Sequence, residues 1–396
     1  MNKKWQLLLS IESIKGLFAC FFRYIPIYLY TSLLNRPKQL WLITERPSDA
    51  RDNGYFLYKW IRENHSDKRV VYAIKKESKD YEKVKDLGEV VEFGSFKHWY
   101  FFFMASVCCG TGWDICVPNG FSFILMRNIL PPKGKRMFLQ HGVIKDYMPQ
   151  GRKQKLKADV FVCGAFPEWE YISKNFGYSN GEVKYLGLAR FDELKDTSNA
   201  NQILFMPTWR AGIGKHADFK KTNYYHRISS LLKSEKLYRL LEETNTDLIY
   251  FIHPTINDKK RYFKDLGKEH IHIFNNYDTD MQQFICSSKM LITDYSSVYF
   301  DFAYQLKPVL YYQYDYDEYR KTHYDEGYFS YEKDGFGPIV DSLDDLIEQV
   351  SLIISNNWKM DNKFVNRSYS FFPIRDSDNC QRHYETICEL DDRRVK

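Results

Sequence analysis

Short apolar runs alternate with longer amphipathic segments over most of this 396-residue chain, and that alternation restricts the fold more than any other feature. Leu40–Thr44, Arg69–Ile74, Val90–Phe93, Ala105–Cys109, Arg136–Gln140 and Val160–Cys163 read as strands, with a helix over Asn53–Asn64 between the first two. Strands separated by helices make a parallel sheet covered on both faces. The polar, turn-rich stretch Asp192–Gln202 reads as a linker. The pattern then restarts, with strands at Ile203–Met206, Leu248–Ile252, His272–Phe274, Met290–Thr293 and Val309–Tyr312 and an amphipathic helix at Leu343–Ile354. The expected fold is α/β: two doubly wound, Rossmann-like domains facing a cleft, over residues 36–195 and 200–375. A tail, 376–396, contains a helix over Asp378–Leu390 that packs back across them. The length is sufficient for two such cores.

Charge and cysteine content exclude some functions. The formal charge is +6, but both signs are mixed along most of the chain, which argues against a nucleic-acid partner. Eight cysteines are scattered without a Cys-x-x-Cys pair or zinc spacing, so no metal site is expected and reduced thiols are. The first 35 residues differ from the rest. Lys3, Lys4, Lys15 and Arg23, with Arg36 and Lys38 just beyond, face only Glu12, and the apolar stretch Leu17–Leu34 is interrupted by Arg23 and Pro26. That stretch lacks a signal-peptide cleavage site and is borderline in length for a span. With Trp5 and several tyrosines it suits helices lying in a membrane interface; a packed accessory pair and a true span are the alternatives. A second basic run, Arg152, Lys153, Lys155 and Lys157, suits either an anionic surface or plain solvation.

Candidate site residues cluster at strand ends, where open parallel sheets bind ligands. Ile292-Thr-Asp-Tyr-Ser-Ser-Val-Tyr-Phe-Asp-Phe302 reads as a strand stopping at Asp294, a tight turn, and a helix opening at Ser297. Two hydroxyls then stand beside the free N–H groups of a helix start, which attract phosphate; plain helix capping is the other use of such a turn. Met206-Pro-Thr-Trp-Arg210 and Ile252-His-Pro254 end two further strands, so Thr208, Arg210, His253, Asp294, Ser296 and Ser297 are expected in one crevice. Arg210 offers a planar fork for phosphate oxygens. In the first half, Phe138-Leu-Gln-His-Gly-Val-Ile-Lys145 delivers His141 to a strand end as a candidate base, with Gly142 permitting close approach and Lys145 available to an anionic substrate.

Five elements, Gln140-His-Gly-Val-Ile-Lys145, Gly187-Leu-Ala-Arg-Phe-Asp192, Pro207-Thr-Trp-Arg210, His253-Pro254 and Asp294-Tyr-Ser-Ser-Val-Tyr-Phe-Asp301, resemble, in the same order, the CDP-glycerol glycerophosphotransferases. These are the teichoic-acid primases and polymerases of Gram-positive bacteria, with relatives in capsule loci. The resemblance covers roughly residues 40 to 385. It implies a GT-B-like fold, peripheral attachment to the cytoplasmic face of the cell membrane, and transfer of an alditol phosphate from CDP-glycerol or CDP-ribitol to a lipid-linked polymer acceptor. By the same resemblance His141 is the base and His253 a donor-phosphate ligand, while Ser296, Ser297 and Arg210 cradle the pyrophosphate. Asp301 belongs to the trailing Phe-Asp of the serine motif, and Asp376 and Arg382 match a late Asp and Arg pair. No tightly bound metal or cofactor is implied, and divalent-metal dependence is left open. Val143 stands where relatives carry Thr, the Pro between Gly142 and Lys145 is missing, and Ala189 replaces a Pro; the first two flank the base and bear on acceptor identity. Two other functions remain open on the sequence. One is a sugar transferase using a nucleotide sugar on the same architecture. The other is a non-catalytic envelope-assembly protein that binds polymer or lipid.

Overall fold

The computed structural model describes residues 11–35, 39–211, 213, 218–277 and 279–392, with side chains from Lys15 onward. Expectations placed on Lys3, Lys4, Trp5, Glu12, Arg36 and Lys38 fall outside that description. Two parallel sheets form, as the strand pattern requires. The first has seven strands: β1 (Leu40–Thr44), β2 (Arg69–Ile74), β3 (Val90–Glu92), β4 (Val107–Gly110), β5 (Lys135–Phe138), β6 (Val160–Cys163) and β7 (Val183–Tyr185), in the order β3-β2-β1-β4-β5-β6-β7. The second has six: β8 (Gln202–Phe205), β9 (Asp247–Phe251), β10 (Ile271–Phe274), β11 (Met290–Thr293), β12 (Val309–Tyr312) and β13 (Ile339–Val340), in the order β10-β9-β8-β11-β12-β13. Every ladder is parallel; Leu42, for example, faces Val71 on one side and Cys108 on the other. β1 is buried along its whole length, because helices cover both faces. Edge strands β7 and β13 are too short to carry a readable period and escaped the sequence reading.

Strand order reverses between β1 and β4 in the first sheet and between β8 and β11 in the second, and such reversals open a crevice at the strands' carboxyl ends. The two sheets also share packing. Val143, Ala165 and Leu188 of the first half lie in one apolar cluster with Leu291, Tyr299 and Phe302 of the second. Polar contacts add to this: Arg51 Nη1 donates to the Asn276 and Thr279 carbonyls at 3.2 and 3.3 Å, and Arg320 Nη1 meets Asp146 Oδ1 at 2.7 Å.

At the amino end α1 (Ile11–Ala19) passes through one π turn (Cys20–Tyr24) into α2 (Ile25–Ser32). Tyr24, fully buried, anchors this rod through its hydroxyl on the Leu130 carbonyl (2.7 Å) and through edge contacts with Trp99 and Phe103. Among the described residues no helix is long and apolar enough to cross a membrane. Helices α3 (Asn53–Asn64), α4 (Gly120–Met126), α5 (Phe166–Asn175), α6 (Tyr299–Tyr304) and α7 (Leu343–Ser355) follow. The last, α8 (Asn379–Asp392), lies back on the first sheet, with Trp41 Nε1 donating to Asp391 Oδ2 at 3.1 Å.

Candidate active site

His141 is brought into the crevice by a backbone reversal just beyond β5. Gln140 adopts φ +63°, a conformation that costs an L-residue about 1–2 kcal/mol. Its side chain holds the turn by donating to the Val162 carbonyl, while its own carbonyl accepts from Asn53 Nδ2 at 2.9 Å. The His141 side chain is 63% exposed, accessible to a substrate. Its Nδ1 is hydrogen-bonded to Asp52 Oδ2. Because an ionised carboxylate only accepts, Nδ1 carries the proton and Nε2 is left with its lone pair toward the crevice.

Asp52, which sequence reasoning missed, is the residue that orients the His141 ring. It is the N-cap of α3, its Oδ1 accepting from Asn53 N at 2.8 Å, and it sits in the loop after β1, at the reversal of strand order. Burial alone would raise its carboxyl pKa, but the His141 ring and the Arg190 guanidinium hold it below the ordinary range. Buried Glu45 underpins the loop by accepting from the backbone N–H groups of Arg51, Asp52 and Tyr55 at 2.8, 3.0 and 2.6 Å. Burial and then the Asp52 charge push Glu45 up to about 8. On the other flank of His141, buried Glu168 of α5 accepts from Ile144 N and Gly164 N at 2.5 and 2.7 Å.

The second half supplies the facing wall. Helix α6 opens two residues later than the sequence predicts, at Tyr299, because Asp294 folds back to accept from Thr208 N (2.7 Å) and Tyr295 N (2.5 Å) and the Tyr295 ring stacks under Tyr319. Ser297 is left exposed and Ser296 half-buried, neither hydroxyl having a partner among the described residues. A methyl group placed on Gly142 would come within 3.2 Å of Ser297 Oγ, so the His141 loop and the serine turn meet across the crevice. His253 caps the 3-10 turn after β9, its Nδ1 accepting from Thr255 N at 3.2 Å, which assigns the proton to Nε2. Burial, then the Arg46 charge, pushes His253 down to about 4, so it is a neutral donor. The two histidines thus present opposite tautomers.

Other sequence-predicted residues have different surroundings. Arg210 is buried and its fork is occupied: Nε and Nη2 meet Asp315 at 2.7 and 3.0 Å, Nη2 also meets Asp294 at 2.8 Å, and Nη1 donates to the Thr208 carbonyl. It holds the two loops together and leaves no free fork for a phosphate, and Asp294 is spent in the same way. Thr208 Oγ1 is buried without a partner among the described residues. Lys145 is buried against Asp146 and over the Tyr331 ring, in the contact between the halves, and burial pushes its ammonium below the ordinary range. Val143 is likewise core. Asp301 binds Arg190 bidentately at 3.0 and 2.9 Å, and Arg190 continues to the His141 carbonyl (3.2 Å) and Asp52 (3.5 Å). Arg382, on α8, is held by Asp376, Asn379 and the Leu186 carbonyl, and among the described residues it has no contact with His141 or His253. Among the described residues no group of three or more His, Cys, Asp or Glu side chains is placed to hold a metal ion.

The family model for CDP-Glycerol:Poly(glycerophosphate) glycerophosphotransferase matches residues 27–389. The chain belongs to this family. It is 33% identical over 379 residues to the minor teichoic acid biosynthesis protein GgaB of Bacillus subtilis (strain 168), covering 92% of this chain and 41% of GgaB. To the teichoic acid ribitol-phosphate polymerase TarL of Staphylococcus aureus (strain NCTC 8325 / PS 47) it is 26% identical over 204 residues, 45% of this chain and 33% of TarL. This glycerophosphotransferase-family chain therefore spans less than half the length of these curated relatives. The structure of the wall teichoic acid polymerase TagF superposes with a TM-score of 0.70 over the whole of both chains at 16% identity, which places the fold in the GT-B-like class.

Proposed function

We propose that this chain transfers glycerol phosphate, or a related alditol phosphate, from a CDP-alditol to a hydroxyl of a lipid-linked wall or capsular polymer precursor, releasing CMP. The observation that carries the reading is His141, base-ready at Nε2 and held by Asp52, on a loop that touches the serine turn of the facing half. In the reaction the acceptor hydroxyl oxygen attacks the β-phosphorus. Its proton passes to His141 Nε2, the bond from that phosphorus to the bridging oxygen breaks, and CMP departs with the electron pair. Ser296, Ser297 and neutral His253 supply hydrogen-bond donors to the leaving phosphate. Positioning and charge stabilisation account for most of the rate in such transfers, so a covalent nucleophile is not required.

The acceptor implies a membrane, and one face of the molecule suits it. Phe18, Phe21, Phe22, Leu29, Tyr30 and Leu33 on the amino-terminal rod are exposed, as are Ile124 and Ile129 at α4. Lys15 and Arg23 edge a groove of about 520 Å³ alongside them, lined also by Phe18, Phe93 and Trp99. Apolar side chains rimmed by cations fit an anionic bilayer interface. We infer peripheral attachment at the cytoplasmic face of the membrane through this surface. Incubation of the protein and membrane acceptor with CDP-glycerol, CDP-ribitol and a UDP-sugar panel tests the function. CMP release from one CDP-alditol, lost in His141→Ala, is expected; release from a nucleotide sugar alone overturns it.

A further inference from the structure

Four arginines along the crevice and the contact between the halves are neutralised by carboxylates. Arg51 pairs with Asp80 at 2.7 Å, Arg190 with Asp301 and Asp52, Arg210 with Asp294 and Asp315, and Arg320 with Asp146. Arg46 has no carboxylate partner among the described residues. It follows β1 at the reversal of strand order, its side chain is exposed, and its Nη2 lies 3.5 Å from His141 Nε2. It is also close enough to His253 to contribute to that ring's depressed pKa. A guanidinium left unpaired beside two imidazoles, opposite two free serine hydroxyls, makes a pocket of donors whose charge calls for an anion.

We propose that Arg46 is the phosphate ligand of the amino-terminal half, binding the non-bridging oxygens of the phosphoryl group that passes from donor to acceptor. The inference rests on the function proposed above and gives Arg46 the role that buried Arg210 is not free to fill. The ligand class is a pyrophosphate ester, which a planar fork grips by paired N–H donors. Arg46 Nη2 lies 3.5 Å from the Nε2 lone pair of His141. Engaging the phosphoryl group withdraws that donor and frees Nε2 for the acceptor proton. One residue would therefore couple donor binding to activation of the base.

Because Arg46 is exposed and unpaired, its removal leaves the fold intact, and the melting temperature serves as the control. Titration calorimetry of wild type and Arg46→Ala with inorganic pyrophosphate and with CMP tests the contact directly. The expected result is a loss of about tenfold or more for pyrophosphate, with CMP unchanged, since CMP lacks the transferred phosphoryl group. In the CDP-glycerol assay the variant's kcat should fall about 10²–10³-fold, the scale of a lost donor to developing charge. Guanidinium ion should restore part of it, and Arg46→Lys, a point charge without the fork, should stay well below wild type. Equal pyrophosphate affinity in variant and wild type overturns the proposal, as does absence of pyrophosphate binding by the wild type. If pyrophosphate binding depends on Arg46 but no CDP-alditol is turned over, the anion site stands and the donor assignment falls.

Discussion

Replacing Asp52 by Asn isolates one proton. Asp52 Oδ1 accepts from Asn53 N at 2.8 Å and faces Arg190 Nη1 at 3.5 Å. Both partners are donors, so the amide oxygen of the variant must take that position. The amide NH₂ then replaces Oδ2 and points at His141 Nδ1, where it donates instead of accepting. The ring is driven to the tautomer with its proton on Nε2, and the lone pair facing the crevice is lost. Shape and helix cap are nearly unchanged, Asn being as good an N-cap as Asp, so stability should shift by less than about 1 kcal/mol. The kcat for CMP release should fall by about 10²–10⁴-fold, the general-base contribution, while KM for the CDP-alditol is little affected. Asp52→Ser separates the roles, since it still caps α3 but is too short to reach His141; it should be as inactive as the Asn variant. Long-range ¹H–¹⁵N spectra of histidine-labelled protein read the tautomer without any substrate. A wild-type signal for Nε2–H, or an Asn variant within threefold of wild-type turnover, refutes the argument.

Three further outcomes follow from groups outside the dyad. His98 is fully buried and pushed down to about 3, whereas its ordinary value is 6.5, so the unfolded chain takes up a proton below pH 6.5 that the folded one refuses. Its contribution to stability is complete above pH 6.5 and is lost as pH falls, about 2 kcal/mol by pH 5; urea unfolding of His98→Gln at pH 5 and pH 7 should lack that difference. Arg210→Met leaves Asp294 and Asp315 buried without their cation and should cost about 3–5 kcal/mol in urea unfolding. Unchanged stability with a raised KM for donor would return Arg210 to the donor site. Phe21 and Phe22 are 63% and 58% exposed. Since burying a Phe contributes about 1.5–3 kcal/mol, replacing both by Ser should weaken sedimentation with anionic vesicles by at least about tenfold at unchanged melting temperature.

The two sheets, the strand-end placement of His141 and His253 and the serine turn were legible because each rests on a local pattern: an apolar run, a terminating Gly or Pro, a hydroxyl pair before a helix. Asp52 and Arg46 were not, although β1 itself was read correctly. The loop after β1 lies at the reversal of strand order in the first sheet but carries no terminating motif of its own, and order across a sheet leaves no trace in periodicity. Arg210 illustrates the opposite case. Its position after β8 suits phosphate, but Asp315, 105 residues on, takes the fork, and a partner that remote is invisible in one sequence. Lys145 was assigned to substrate although Asp146 stands next to it, because burial between the halves comes from packing against residues near Tyr331.

The Arg190 network explains why ions, and not apolar side chains, join the halves at this point. Buried ion pairs seldom hold a structure together better than well-packed hydrophobic residues, since desolvation offsets most of the attraction. The shared apolar cluster around Val143, Leu188 and Tyr299 already supplies that adhesion. An apolar contact, however, is non-directional and leaves a carboxylate free to rotate. Arg190 fixes direction: two donors grip Asp301 in one half, and a third group reaches the His141 carbonyl and Asp52 in the other. Asp301 lies on α6, whose entry carries Ser296 and Ser297, so the same guanidinium sets the base and the facing hydroxyls in one frame. The Asp of the Phe-Asp pair after the serine motif therefore braces the two halves through Arg190.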